Sequence, residues 1–218
     1  MPRRTKQDAL ATRQQLLEAA LGVFAQKGVS RTSLQDIAIA AGTTRGAIYW
    51  HFRNKADLFN ALMESAILPM EQALAQIGHG PAQDPLNELE HALLQTMRSV
   101  ATDERTRAIF EIATLKVEYV EESLAIKARH VQAYANATRE MRRSLQEAAL
   151  RRGITMTLPP DTAATSLHSL SAGLIHTWML APGAFDLVAV APAAIRCCLI
   201  GLGFFAAADV RCDNAYSH

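Results

Sequence analysis

Cysteine is scarce in this chain of 218 residues, and its placement excludes several kinds of site. Cys197, Cys198 and Cys212 all lie near the carboxyl end, without the spacing of metal ligands. This pattern predicts neither a disulfide framework nor a metal site. We expect Cys197 and Cys198 to lie on a helix as small apolar residues. A redox-sensing role is the alternative, but such a thiol needs basic neighbours, and only Arg196 lies beside them in the sequence.

Signatures of catalysis and of membrane insertion are missing as well. No nucleophile has a base at a recognisable spacing, and there is neither a glycine-rich phosphate loop nor a zinc motif. The sequence therefore predicts a protein that is not an enzyme and needs no cofactor. Residues 162–185 form a charge-free run long enough to cross a membrane. Because this run contains His168, His176 and Pro182, we interpret it as a helix buried in protein.

The pattern of strands is absent too, whereas helical periodicity is found along most of the chain. Apolar residues recur at intervals of three and four, which predicts an all-α fold of about nine helices. A helix over about residues 121–152 carries an apolar stripe from Leu124 through Val131 to Met141. Asp161 is expected to cap the eighth helix. Pro192 makes the start of the ninth uncertain, at residue 187 or 192.

Residues 32–52 contain the most informative pattern, two short helices joined by a tight turn. Thr32 or Ser33 can cap the first helix, with an acid or amide at the capping-box spacing. Gly42 stands where a helix end needs a left-handed residue, and Thr43 or Thr44 can cap the second helix. A basic and aromatic face then remains on the outside of the second helix. This is the layout of a helix-turn-helix, whose second helix enters the major groove of DNA.

The net charge of +1 hides an uneven distribution. Residues 1–55 contain nine basic and three acidic side chains, a net charge of +6, whereas residues 56–218 have a net charge of −5. A basic end on an acidic body predicts that the first part meets a polyanion and the rest does not. A basic surface that is merely solvated is the alternative.

The basic segments resemble the TetR family of one-component bacterial repressors. The resemblance lies in residues 4–6 and 12–13 and is densest over residues 42–52 (GTTRGAIYWHF), followed by Asn54 and Lys55. Within the family it is strongest to the AcrR/TtgR-like branch, local repressors of multidrug efflux pumps. Later markers of that branch are residues 84–86, 116–118, 173–175, 178, 182 and 186. Thr43 and Pro192 depart from the pattern.

The resemblance implies three segments. Residues 1–55 are expected to be a helix-turn-helix DNA-binding domain, residues 56–208 a helical ligand-binding and dimerisation domain, and residues 209–218 a flexible tail. The expected protein lies in the bacterial cytoplasm and binds a palindromic operator as a homodimer formed through its last two helices. Small hydrophobic drugs are expected to release it. A regulator that answers to a metabolite or fatty acid is the alternative, and a drug-binding protein without a DNA function is a third.

The resemblance also implies site residues. The recognition helix covers about residues 44–51, with Arg45 reading a base, although Trp50 can instead belong to the core and His51 can act as a cap. The expected DNA-binding residues are Ser33, Thr43, Thr44, Arg45, Gly46, Tyr49, Trp50, His51 and Lys55. The candidates for a ligand pocket lie on apolar helix faces, where plain core residues are the alternative. They are Ile67, Met70, Leu89, Leu93, Thr96, Phe110, Thr114, Val117, Met141, Ser171, Ile175 and His176.

Overall fold

The computed structural model describes residues 6–78, 84–118 and 124–205. This part of the chain folds into nine α-helices and contains no strand, which confirms the predicted fold class. The helices are α1 (Lys6–Lys27), α2 (Leu34–Ala40), α3 (Arg45–His51), α4 (Lys55–Gln76), α5 (Pro85–Thr102), α6 (Glu104–Leu115), α7 (Leu124–Arg152), α8 (Pro160–Leu180) and α9 (Leu187–Gly201). None of the helices described has the length and apolar character that a membrane crossing requires.

The described residues pack into two compact units. The first contains residues 6–69, 104–118 and 124–132, and the second contains residues 70–78, 84–103 and 133–205. Helices α4 and α7 therefore contribute to both units. The predicted boundary at residue 55 separates a DNA-binding segment from a ligand-binding segment by function, and it stays a prediction. The predicted tail, residues 209–218, lies outside the described residues.

The core of the first unit is built on one face of α1. Leu16, Ala20 and Phe24 are fully buried at intervals of four residues, as expected for the inner face of a helix. The ring of Phe24 meets that of Phe59 on α4 edge to face, with centroids 6.0 Å apart. Ile37 of α2 is fully buried in the same core. The two short helices of the predicted helix-turn-helix are thus held by tertiary packing, because seven residues are too few for a stable isolated helix.

The second unit contains α5, α8 and α9, which pack on one another, together with the end of α4 and most of α7. Their buried faces repeat every three or four residues, for example Leu86, Leu89 and Leu93 on α5. The side chain of Asp186 caps α9 by accepting hydrogen bonds from the backbone N–H groups of residues 188 and 189 at 2.8 and 3.1 Å. Helix α9 therefore begins at residue 187, and Pro192 lies inside it.

Two local predictions were wrong. Asp161 does not cap α8, which begins one residue earlier at Pro160 without a side-chain cap, because proline already has the backbone angle of a first helical position. Asp161 instead accepts a hydrogen bond from Arg142 at 3.2 Å. The stripe on α7 is buried at Met141 but exposed at Leu124 and Val131, by 61% and 58%. Helix α7 buries a different face in its first half, where Ile126 enters the core.

Candidate DNA-binding surface and ligand cavity

The start of α2 is fixed by a reciprocal cap. Ser33 has extended backbone angles, and its hydroxyl oxygen accepts the N–H of Asp36 at 3.1 Å. The carboxylate of Asp36 accepts the N–H of Ser33 at 2.9 Å and its hydroxyl at 2.6 Å. These bonds, together with Lys27 at 3.0 Å, hold the pKa of Asp36 well below its usual range. Of the two alternatives that the sequence left open, Ser33 and not Thr32 is the cap.

The turn between α2 and α3 follows the predicted chemistry. Gly42 has a φ of +62°, the left-handed region that favours glycine. The next residue, Thr43, donates its N–H to the carbonyl of Ala38 at 2.9 Å, which satisfies an otherwise unpaired group at the end of α2. Thr44 then caps α3, because its hydroxyl oxygen accepts the N–H of Ala47 at 3.2 Å. Helix α3 therefore runs over Arg45–His51, with Thr44 as its cap.

One face of α3 remains exposed. Among its seven residues only Ile48 is buried, whereas Tyr49 and Trp50 are 48% and 74% exposed. The guanidinium of Arg45 lies over the ring of Tyr49, 5.6 Å from its centroid. Next to them, a Cβ on Gly46 would approach no atom closer than 4.0 Å. Internal packing therefore does not require glycine at position 46.

The basic residues that flank α3 are held by specific bonds. Lys55, the first residue of α4, donates from Nζ to the backbone carbonyl of Ser30 at 2.8 Å. Arg53, which was not among the predicted site residues, is highly exposed and contacts Asp57 through Nε at 3.3 Å. The hydrogen bond from Arg53 lowers the pKa of Asp57. The sequence signal that could have marked Arg53 as a candidate was its position two residues before Lys55.

The first unit also contains a cavity of about 260 Å³. Helices α4, α6 and α7 line it, and most of its walls are apolar. The lining residues are Met63, Ile67, Ile109, Phe110, Ala113, Thr114 and His130. The imidazole of His130 meets the ring of Phe59 edge to face, with centroids 6.1 Å apart. Burial, and to a smaller extent the charge of Arg129, lowers the pKa of His130.

The sequence matches two family descriptions over most of its length. Residues 16–62 match "Bacterial regulatory proteins, tetR family", and residues 84–204 match "MAATS-type transcriptional repressor, C-terminal region". The second match alone covers more than half of the chain. This chain belongs to the TetR family. The predicted resemblance is therefore confirmed, and the helix-turn-helix lies within the first match.

Individual relatives of this TetR-family protein are transcriptional regulators by name, and one of them is the repressor of an efflux pump. TtgR of Pseudomonas putida is 38% identical over 189 residues, covering 86% of this chain and 90% of TtgR. AcrR of Shigella flexneri is 36% identical over 187 residues, covering 86% of this chain and 87% of AcrR. The structure of NalD, the secondary repressor of the MexAB-OprM multidrug efflux pump in Pseudomonas aeruginosa, has a TM-score of 0.83 at 35% identity and covers 89% of this chain and 98% of that one.

The cavity brings together three of the predicted ligand residues of this TetR-family protein, Ile67, Phe110 and Thr114. Val117 packs against the core of the first unit without lining the cavity. The other predicted residues belong to the second unit: Leu89, Leu93, Met141, Ser171 and Ile175 are buried, Met70 and Thr96 are half-buried, and His176 is exposed. Sequence reasoning missed Met63, Ile109, Ala113 and His130, because only the packing of three helices shows that they share a cavity.

Proposed function

We propose that this protein is a ligand-responsive transcriptional repressor that controls a multidrug efflux pump operon. In this proposal it binds a palindromic operator as a dimer and is released by small hydrophobic drugs. The observation that carries the proposal is the exposed face of α3. It presents the cation of Arg45, the aromatic rings of Tyr49 and Trp50, and a glycine that internal packing does not require. Relatives such as NalD, which represses a multidrug efflux pump, support the choice of operon.

On the DNA side, Arg45 is proposed to pair with a guanine, since a guanidinium matches the O6 and N7 acceptors in the major groove. Gly46 lets the backbone approach the duplex, and Trp50 is proposed to contact DNA because it is exposed rather than part of the core. The remaining residues are proposed to position the protein on phosphates and sugars without reading sequence. They are Ser33, Thr43, Thr44, Tyr49, His51 and Lys55.

On the ligand side, we assign the inducer to the cavity of the first unit. Its walls are apolar apart from the Thr114 hydroxyl and the His130 imidazole, the composition expected of a site for a small hydrophobic molecule. SmeT, the repressor of the Stenotrophomonas maltophilia pump SmeDEF, is 31% identical to this chain, and its structure has been solved as a complex with triclosan. This complex supports the proposal that a protein of this architecture takes up a small molecule.

The cavity is connected to the helix-turn-helix through the loop that follows α1. Helix α4 reaches this loop through the bond from Lys55 to the Ser30 carbonyl. The chain that follows α6 reaches it as well, because the carbonyl of Lys116 accepts the N–H of Val29 at 3.1 Å. Since α4 and α6 both line the cavity, a ligand that changes their spacing displaces the loop before α2. The ligand shifts the equilibrium only by its difference in affinity for the two shapes.

A dimer through α8 and α9 completes the proposal. Helix α8 bears small or apolar residues, including Gly173 and Leu174, which line a shallow groove together with Phe185. Such a face suits a four-helix bundle made from the last two helices of two subunits. The two recognition helices would then read successive half-sites of a palindrome.

A gel-shift titration on DNA upstream of the protein's own coding region tests the proposal. We expect a sequence-specific shift that antibiotics or dyes exported by efflux pumps reverse. The absence of a specific shift would refute the repressor function and leave a drug-binding protein. A shift that responds to an acyl-CoA or another metabolite, but not to drugs, would replace the drug-responsive repressor with a metabolite sensor.

A further inference from the structure

A cluster of three side chains joins α1, α4 and α6 within the first unit. Arg105, in the first turn of α6, donates from Nε to the carboxylate of Glu18 on α1 at 2.9 Å. It also donates from Nη1 to the hydroxyl of Ser65 on α4 at 3.0 Å. We call these three residues the Arg105 cluster. Because Arg105 is 87 residues from Glu18 and 40 from Ser65, the cluster fixes tertiary structure and not a local turn.

The guanidinium of Arg105 is held in one orientation. Its Nη2 lies 2.9 Å from the same oxygen of Glu18 that Nε contacts. Glu18 also accepts a hydrogen bond from Nε2 of Gln14 at 2.7 Å. The side chain of Arg105 is 33% exposed, so its charge is screened less than that of a fully exposed pair. The fixed fork of donors in arginine lets this one side chain hold two helices at once, whereas a lysine has a single nitrogen.

Helix α4 depends on this contact, because its own hydrogen bonding is interrupted at the same turn. Pro69 lies inside α4 and has no N–H to donate to the carbonyl four residues earlier, which is that of Ser65. Ser65 lies two residues before Ile67, and Arg105 lies one turn before Ile109. Both of these isoleucines line the cavity. The cluster therefore sets the distance between α4 and α6 beside the cavity.

Helix α1 connects the cluster to the helix-turn-helix. Nε2 of Gln15, three residues before Glu18, donates to the carbonyl of Ala41 at the end of α2 at 2.8 Å. At the other end of α1, Nζ of Lys27 lies 3.0 Å from the carboxylate of Asp36 in the first turn of α2. Helix α1 thus holds both ends of α2, and the position of α1 sets the position of the helix-turn-helix.

We infer that Arg105 is a positioning residue that fixes the helix-turn-helix relative to the cavity helices α4 and α6. Operator binding requires one such position, because the two recognition helices of a dimer must fit half-sites at a set spacing. Contacts with phosphates alone do not require it. Loss of the cluster spreads the protein over several positions, of which only a fraction fits the operator. This inference rests on the proposed repressor function and concerns how its operator-binding form is maintained.

Fluorescence anisotropy of the full chain, with the operator that the gel shift defines and with scrambled DNA, tests the inference at one fixed salt concentration. Arg105→Met should raise the Kd for the operator at least roughly fivefold and leave the Kd for scrambled DNA nearly unchanged. Ser65→Ala should act in the same direction with a smaller effect, because it releases α4 alone. Arg139→Met is the matched control, since it removes an exposed charge on α7 in the second unit. It should leave the ratio of the two affinities unchanged.

An exchange of charges separates positioning from general stabilisation. Arg105→Glu and Glu18→Arg each place like charges together, so either one should weaken operator binding as Arg105→Met does. The double variant restores an opposite pair and should recover most of the loss, a coupling that a double-mutant cycle measures. Urea unfolding checks the fold of each variant. Should Arg105→Met fail to fold, Glu18→Gln keeps the size of the side chain, removes its charge and is expected to give the same preference for scrambled over operator DNA.

An operator affinity that Arg105→Met leaves unchanged, or an equal loss on both DNAs, would overturn the inference. So would a double variant that binds the operator as weakly as the single ones. In each of these cases the unchanged chain still binds its operator, and the proposed function stands. If the unchanged chain binds no DNA specifically, the proposed function fails and the inference fails with it.

Discussion

Replacing Arg45 with alanine should abolish most of the sequence-specific binding to the operator while leaving the fold unchanged. Arg45 is exposed at the first position of α3, and its contact with the Tyr49 ring is at the surface, so its loss opens no hole in the core. A bidentate contact with guanine contributes roughly 1–3 kcal/mol of discrimination, which corresponds to a rise in Kd of about 5- to 150-fold for one half-site. In a symmetric dimer both half-sites lose the contact, and the free-energy loss doubles.

Fluorescence anisotropy with labelled operator and with scrambled DNA, at one fixed salt concentration, measures this effect. Arg139→Ala is the matched control, because it also removes one exposed positive charge but lies on α7 in the second unit. Arg45→Lys keeps the charge and loses the planar fork, so it should resemble alanine on the operator and the unchanged protein on scrambled DNA. If Arg45→Ala weakens both DNAs equally, or no more than Arg139→Ala does, Arg45 does not read a base.

Three further predictions concern stability. Ser33→Ala should lower the free energy of unfolding by about 1 kcal/mol, measured in urea, because α2 loses its cap; no loss would mean that Asp36 alone holds the helix end. Gly42→Ala should cost about 1–2 kcal/mol in the same assay, since the left-handed backbone strains a Cβ even where space is open; a neutral result would place the strain elsewhere. Because the pKa of His130 is lowered in the folded chain, the unfolded chain takes up a proton at this residue more readily. The contribution of His130 to stability is therefore complete above the ordinary histidine pKa of 6.5 and decreases as the pH falls below that value. His130→Gln should weaken this dependence in thermal melts between pH 7.5 and 5.5, and identical slopes would contradict it.

The helix-turn-helix could be predicted from sequence because its determinants are local. Ser33 and Asp36 are three residues apart, and Gly42 and Thr44 act within a turn of the backbone they fix. Even there, the sequence left two candidates for each cap. Thr32 is not the cap because tertiary packing buries it and its hydroxyl donates instead to the carbonyl of Gly28, four residues earlier, at 2.7 Å.

The cavity could be predicted only in part because it depends on contacts between distant segments. Ile67, Phe110 and His130 come from three helices, and their meeting follows from how those helices cross. An apolar stripe alone also does not say which side of a helix is buried. On α7 the stripe that includes Val131 faces solvent while Ile126 is buried, which no single periodicity over the whole helix describes.

The exposure of Trp50 gives this molecule a built-in optical probe. The chain contains two tryptophans, Trp50 on α3 and Trp178 on α8, and Trp50 is 74% exposed. A Trp178→Phe protein would emit from the recognition helix alone. Its emission wavelength and quenching would then follow the arrival of DNA at that helix in real time, without a dye on either partner. The kinetics of operator binding and of ligand-driven release thus become accessible by stopped-flow on unlabelled protein.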